Sequence, residues 1–211
     1  PMAKKKVGIM GGTFDPIHIG HLILGETAYQ QFQLDEVWFM PAGNPPHKQN
    51  RVGRANDDQR IEMVRLAIEN NPHFHLSLIE MNADGYSYTY RTLERLSKIN
   101  PDHEYYFVIG ADSLFDFHLW KEPQRIMNCC KMVVATRNQI PGDVFDALLD
   151  KRKKEFHGEF LKLETPNLDI SSHNLRRMIA SGESVRYYLR DAVIRYIKEN
   201  GIYQQPEISE E

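Results

Sequence analysis

Residues 11–21 read GGTFDPIHIGH, and this stretch concentrates several chemistry-bearing side chains in one place. His18 and His21 stand three residues apart, so on a helical turn they point from the same face. Two imidazoles so placed can donate hydrogen bonds to phosphate oxygens without a permanent local charge. Gly11 and Gly12 allow a tight turn and close approach of the backbone to a ligand. Thr13 adds a hydroxyl, Pro16 stiffens the loop, and Gly20 keeps bulk away between the histidines. A helix opening here adds free N–H groups and a positive dipole end, both suited to an anion. The stretch matches neither GxxxxGK[ST] nor GxGxxG. As a metal site, HxxH lacks a third ligand, and the chain has no HExxH.

Three further segments carry candidates. Residues 41–48 (PAGNPPHK) form a proline-stiffened loop ending in a mobile cation, Lys48, which reads equally well as a solvated surface lysine. Residues 84–92 (DGYSYTYRT) precede a helical pattern, and Ser87 can cap it so that its first N–H groups face a carboxylate. Trp120 offers a flat face for a planar ring. Tyr86 and Tyr90 read as core, whereas Tyr88, Thr89 and Trp120 read as site. Gly110 and Asp112 end an apolar run, where open α/β sheets commonly place ligand contacts. In residues 169–176 (DISSHNLR), Ser171 or Ser172 can cap a helix and donate a hydroxyl to phosphate. Arg176, four residues beyond Ser172, brings a planar fork that suits two phosphate oxygens.

The elements that must hold these residues alternate along the chain. Apolar runs at 6–10, 36–40, 74–79, 105–109 and 131–135, and a weaker one at 160–163, read as strands. The most continuous of them suit strands buried on both faces of a parallel sheet. Helical spacing appears at 22–32, 58–70, 89–99 and 143–156. This predicts an α/β fold, a Rossmann-like doubly wound parallel sheet. Residues 171–181 and 185–200 read as two closing helices, each stopped by a glycine, Gly182 and Gly201. They are expected to form a small C-terminal helical cap. The expected organisation is a nucleotide-binding α/β part over 1–165 and a helical part over 166–211, packed as one unit.

Composition narrows the function. With 211 residues, 26 Lys plus Arg and 29 Asp plus Glu, the net charge is -3. That balance argues against a nucleic-acid binder, which would show a basic face with interleaved aromatics. No apolar run approaches a membrane span, and the apolar stretch after Lys4-Lys5-Lys6 is too short for a signal-peptide core. The two cysteines, Cys129 and Cys130, are adjacent and read as small buried apolar residues in a reduced, cytoplasmic protein.

GGTFDPIHIGH resembles the T/HxGH signature of the nucleotidyltransferase superfamily, and within it the bacterial nicotinate-nucleotide adenylyltransferases. The PPHK loop, the SYT segment with GAD and Trp120, and DISSHNLR, similar to ISSTxIR, extend the resemblance over most of the chain. His173 departs from it where threonine is usual, and Leu175 replaces isoleucine. The resemblance implies transfer of AMP from ATP to nicotinate mononucleotide, with nicotinate adenine dinucleotide and pyrophosphate as products. The attacking phosphate is already ionised and needs no general base. Motifs and resemblance together assign His18, His21, Lys48 and Arg176 to catalysis. They assign Gly11, Gly12, Thr13, Phe14, Gly20, Ser171 and Ser172 to ATP. Asp15, His47, Tyr88, Thr89, Gly110, Asp112 and Trp120 are assigned to the acceptor. Mg²⁺ is expected to ride mainly on ATP. A homodimer through the C-terminal helices is open. The competing readings are another adenylyltransferase, such as one acting on phosphopantetheine, and a nucleotide-binding sensor without turnover.

Overall fold

The computed structural model describes residues 3–43, 51–81, 87–136 and 139–208. Six strands form one all-parallel sheet of order β3-β2-β1-β4-β5-β6, which is the doubly wound arrangement expected. They are β1 (Lys5–Gly12), β2 (Glu36–Pro41), β3 (Phe74–Leu76), β4 (His103–Gly110), β5 (Cys130–Ala135) and β6 (Phe160–Leu163). The order reverses between β1 and β4, the topological switch point at which such sheets bind ligands beyond their carboxyl ends. The chain clusters into two compact units. One comprises Pro1–Gly11, Leu24–Trp38 and Ser87–Asn167; the other comprises Gly12–Ile23, Phe39–Tyr86 and Leu168–Glu211.

In the first unit, Val7 lies opposite Tyr105, Ile9 opposite Phe107 and Val108 opposite Val133. All six side chains are buried, which is why these strands read as continuous apolar runs and not as alternating ones. Helix α3 (Thr89–Ile99) presents Tyr90, Leu93 and Leu96 to the core. Cys130 is buried and Cys129 half-buried. Burial pushes both thiols up, so neither is an activated nucleophile.

Two helices in this unit escape the sequence reading: α4 (Ala111–Asp116), continued by a 3₁₀ turn at Phe117–Leu119, and α5 (Pro123–Met127). Both are too short for a periodic signal. The last carbonyls of α4 are satisfied from far away. Arg152, buried on α6 (Gly142–Glu155), donates to Leu114 O at 2.9 Å and Phe115 O at 2.7 Å. Phe117 sits fully buried among Trp120, Phe156 and Phe160, with ring centroids 5.3–5.8 Å away.

In the second unit, α2 (Asp57–Ile68) opens on a capping box. Asn56 accepts from Gln59 N, and the Gln59 side chain accepts from Asn56 N. It packs on β3 and on α8 (Asp191–Glu199). Helix α7 (Ser172–Ala180) is capped by the Ser171 hydroxyl, which accepts from Asn174 N at 3.1 Å. Gly182 and Gly201 do follow the last two helices with left-handed backbone, φ 76° and 59°.

Three expectations need correcting. The helix expected over 185–200 is only Asp191–Glu199. Residues 185–190 form a turn with Tyr187 at φ 75°, and the Tyr188 carbonyl accepts from Ile19 N at 2.8 Å. That backbone is used to hold another loop, so it is withheld from a helix. The strand expected at 74–79 stops at Leu76. The tight turn expected at Gly11-Gly12 is made later. Both glycines are still extended in β1, and the left-handed residue is Phe14 at φ 51°, followed by a cis Asp15–Pro16 bond.

Candidate active site

The loop after β1 leads directly into α1 (Ile19–Gln31), so His18 sits at the helix mouth and His21 in its first turn. Their rings stack with centroids 3.7 Å apart. Gly20 N donates to His18 Nδ1 and His18 N donates to His21 Nδ1, each at 3.1 Å. With both Nδ1 atoms accepting, the neutral rings carry their protons on Nε2. Burial lowers His18 to about 4. Burial, and then the neighbouring His18, holds His21 well below the ordinary imidazole range. The pair is therefore neutral at pH 7 and presents two N–H donors without charge. No acidic residue occupies the first turn of α1, where the positive end of the helix lies.

Gly20 has a sharper role than an open path for a ligand. A Cβ at that position would lie 2.9 Å from His18 Cε1 and 3.0 Å from its Nδ1. The GH spacing therefore makes room for the His18 ring itself. Phe14 is buried edge-on against His21, with centroids 5.0 Å apart and planes at 83°, and packs on Phe39. Its side chain backs the histidine. Gly11 and Thr13 are exposed along the loop.

Beneath the loop, three backbone carbonyls each receive a side-chain donor. Arg60 Nη1 donates to Thr13 O at 2.6 Å, Arg176 Nη1 to Asp15 O at 2.9 Å and Ser172 Oγ to Pro16 O at 2.8 Å. The Asp15 carboxylate is 1% exposed. It accepts from the Tyr203 hydroxyl, from Arg54 Nε and from Ala55 N. Glu207 joins the cluster through Arg54 at 3.2 Å and Arg176 at 3.1 Å. His173 lies 3.4 Å from the same carboxylate.

Thus the structure brings Asp15, His18, His21, Ser172 and Arg176 into one neighbourhood, but Asp15, Ser172 and Arg176 are turned toward the protein. Arg54, Arg60, Tyr203 and Glu207 belong to this neighbourhood and were missed. Their sequence signal is only charge or hydroxyl, outside the motifs to which catalysis and substrate binding were assigned. His47 and Lys48 lie outside the described residues. Among the described residues, no three His, Cys, Asp or Glu side chains converge as a cation cage.

A second candidate site lies in the first unit. A cavity of about 260 Å³ is lined by Ser87, Tyr88, Thr89, Trp120, Lys121 and Ile126. Tyr88, and not Ser87, occupies the N-cap of α3, and its side chain makes no cap hydrogen bond. Trp120 is held by Phe117 at 5.4 Å and edge-on by Phe107 at 6.5 Å. Lys121, missed from the sequence, adds a cation to a cavity that already has an indole face and the N-terminus of α3. Tyr90 is buried, with the Arg125 guanidinium 4.6 Å above its ring, as the core reading had it. Tyr86 lies outside the described residues. Gly110 caps α4, and Asp112 is exposed in its first turn, at the carboxyl end of β4 and outside this cavity lining.

Known proteins align with this arrangement. The family described as cytidylyltransferase-like matches residues 9–178, which defines the class as nucleotidyltransferase. A "Probable nicotinate-nucleotide adenylyltransferase" of Thermoanaerobacter sp. (strain X514) is 40% identical over 204 residues, covering 96% of each chain. A protein of the same description from Lachnoclostridium phytofermentans is 39% identical over 94% of this chain and 99% of its own. The chain belongs to the nicotinate-nucleotide adenylyltransferase family. Its fold is also that of the Plasmodium falciparum nicotinic acid mononucleotide adenylyltransferase complexed with NaAD. The TM-score there is 0.77 at 21% identity, over 95% of this chain and 98% of the other.

Proposed function

We propose that the chain transfers AMP from ATP to nicotinate mononucleotide, forming nicotinate adenine dinucleotide and pyrophosphate in NAD biosynthesis. A phosphate oxygen of the mononucleotide attacks the α-phosphorus of ATP. The bond from that phosphorus to the bridging oxygen breaks, and its electron pair leaves with pyrophosphate. The observation that carries this reading is the stacked, neutral His18–His21 pair at the mouth of α1. Two uncharged N–H donors and a helix N-terminus suit charge that develops on a phosphoryl group, and no nucleophile or base is required.

His18 and His21 are assigned to the ATP phosphates, with Lys48 as a cation from the neighbouring loop. The backbone of Gly11, Gly12 and Thr13, with Gly20, lets the nucleotide approach. Ser171, Ser172, Phe14 and Arg176 support that surface, since their side chains make protein contacts or back the histidines. The cavity at Tyr88, Thr89 and Trp120 is assigned to the pyridine ring, with the helix N-terminus and Lys121 facing its carboxylate. Gly110, Asp112 and His47 are assigned to the rest of the acceptor. The nucleotide is taken as its Mg²⁺ complex, because the ion neutralises the triphosphate. Cytoplasmic work is proposed, and no helix of the described residues is long and apolar enough to cross a membrane.

The experiment is pyrophosphate release from ATP with nicotinate mononucleotide, nicotinamide mononucleotide and phosphopantetheine as alternative acceptors. Release with the first, several-fold above the second and absent with the third, supports the reading. Binding of ATP with no release would leave a sensor in its place.

A further inference from the structure

The loop that carries the histidines has an irregular backbone, with Phe14 left-handed, and the carbonyls of Thr13, Asp15 and Pro16 accept from protein side chains. Something must fix it, because a group misplaced by about 1 Å costs roughly 10²-fold in rate. Several of the fixing groups, Tyr203, Arg54 and Arg60 among them, come from outside the motif that carries the histidines. The buried Asp15 carboxylate is their hub, and its recorded partners are all protein donors: Tyr203 and Ala55 N on Oδ1, and Arg54 on Oδ2. Tyr203 is 3% exposed and follows α8 at the left-handed φ of 62°. Burial, then the Asp15 carboxylate, raises its phenol well above the ordinary range, so it stays a donor.

We propose that Tyr203 is a positioning residue for the reaction, acting through Asp15 on the loop that presents His18 and His21. On this view Asp15 holds the loop from below and does not touch the acceptor. Arg54 and Arg176 complete the knot, tied to each other by Glu207. Arg176 also fixes the carbonyl of Asp15, and Ser172 that of Pro16. His18 follows two residues later, and Ile19 N is tethered in turn to Tyr188 O. The chain from 13 to 19 is thus pinned at both ends of the turn. The inference rests on the proposed reaction only for its kinetic arm.

The test compares wild type, Tyr203→Phe, Asp15→Asn and the double variant. Thermal midpoint, kcat, the KM of both substrates and the ring NMR signals of His18 and His21 are measured for each. Tyr203→Phe removes one hydroxyl and keeps the ring that fills the core. The expected result is a kcat at least tenfold lower, with both KM values within threefold, and displaced His18 and His21 ring signals. If Tyr203 acts through Asp15, the double variant loses no more than the worse single one. A kcat within twofold of wild type in folded Tyr203→Phe overturns the proposal. Unmoved histidine signals, or losses that multiply in the double variant, overturn it as well. Should Tyr203→Phe not fold, Arg54→Lys loosens the same carboxylate from its other oxygen and is read by the same criteria. Wild type that releases no pyrophosphate would sink the proposed reaction, yet the NMR arm would still decide whether Tyr203 orders the histidines.

Discussion

At the scale of the residue, the central fact is that His18 and His21 are kept neutral by burial. A neutral imidazole offers its N–H to an anion without a buried charge to compensate. Replacing His18 by Ala removes one such donor and should lower kcat by about 10²–10³-fold, the cost of losing a donor to developing charge. Circular dichroism should show the fold retained, and near-wild-type turnover would contradict the role. The pH behaviour follows from the sign of the shift. Between about pH 4 and 6.5 the unfolded chain takes up a proton at His18 that the folded chain refuses. The contribution of His18 to stability should therefore be nearly constant above about 6.5 and fall as pH drops toward 4, by about 3 kcal/mol at most. Urea unfolding at several pH values measures it, and His18→Ala should flatten the slope. From pH 7 to 8, neither histidine should contribute a titration to kcat/KM.

The identity of the donors was legible at this scale, because histidine type and HxxH spacing are local. Their protonation state was not. It depends on how much water the folded protein removes from each ring, and no neighbouring letter encodes that.

At the scale of the element, α1 and α4 show how a helix end is made by parts of the chain far from it. Gly20 lies in the first turn of α1, where alanine would ordinarily stabilise a helix by about 1 kcal/mol. Here a Cβ would overlap the His18 ring at 2.9 Å. Gly20→Ala should leave the thermal midpoint within a few degrees while lowering kcat at least tenfold, as calorimetry and initial rates would show. Helix α4 has no side-chain N-cap hydrogen bond, and two of its last carbonyls depend on Arg152. Arg152→Ala should cost about 3 kcal/mol in a denaturant titration, because it empties a buried site and leaves those carbonyls unpaired.

Long elements were readable from the sequence because their signal repeats: β4 and β5 as unbroken apolar runs, α2 and α3 at helical spacing. Helices α4 and α5 were not, since five or six residues span too few turns to show a period. The turn at 185–190 misread as helix because its apolar residues fit the spacing. Its backbone, however, serves Ile19.

At the scale of the whole molecule, the proposed assignment has the two substrates met by different units. The histidine loop belongs to one, and the cavity at Trp120 to the other. The kinetic effects of damage should separate accordingly. Trp120→Ala should raise the KM for the pyridine nucleotide about tenfold, with less than a twofold change in that for ATP. Equal effects on both would remove Trp120 from the acceptor site.

The net charge of -3 argued against a long polyanion as partner, and the motifs pointed to a phosphate-handling loop in a parallel α/β sheet. Those conclusions lay in the sequence because apolar periodicity and motif spacing are short-range properties. The tertiary structure decided what the loop rests on. Asp15 and Tyr203 meet across 188 residues of chain, and Arg176 reaches the Asp15 carbonyl across 161. A buried polar group must find a partner wherever the fold supplies one. Only the folded chain could show that Asp15 and Arg176, read from the sequence as ligands of the substrates, also anchor the loop from within the protein.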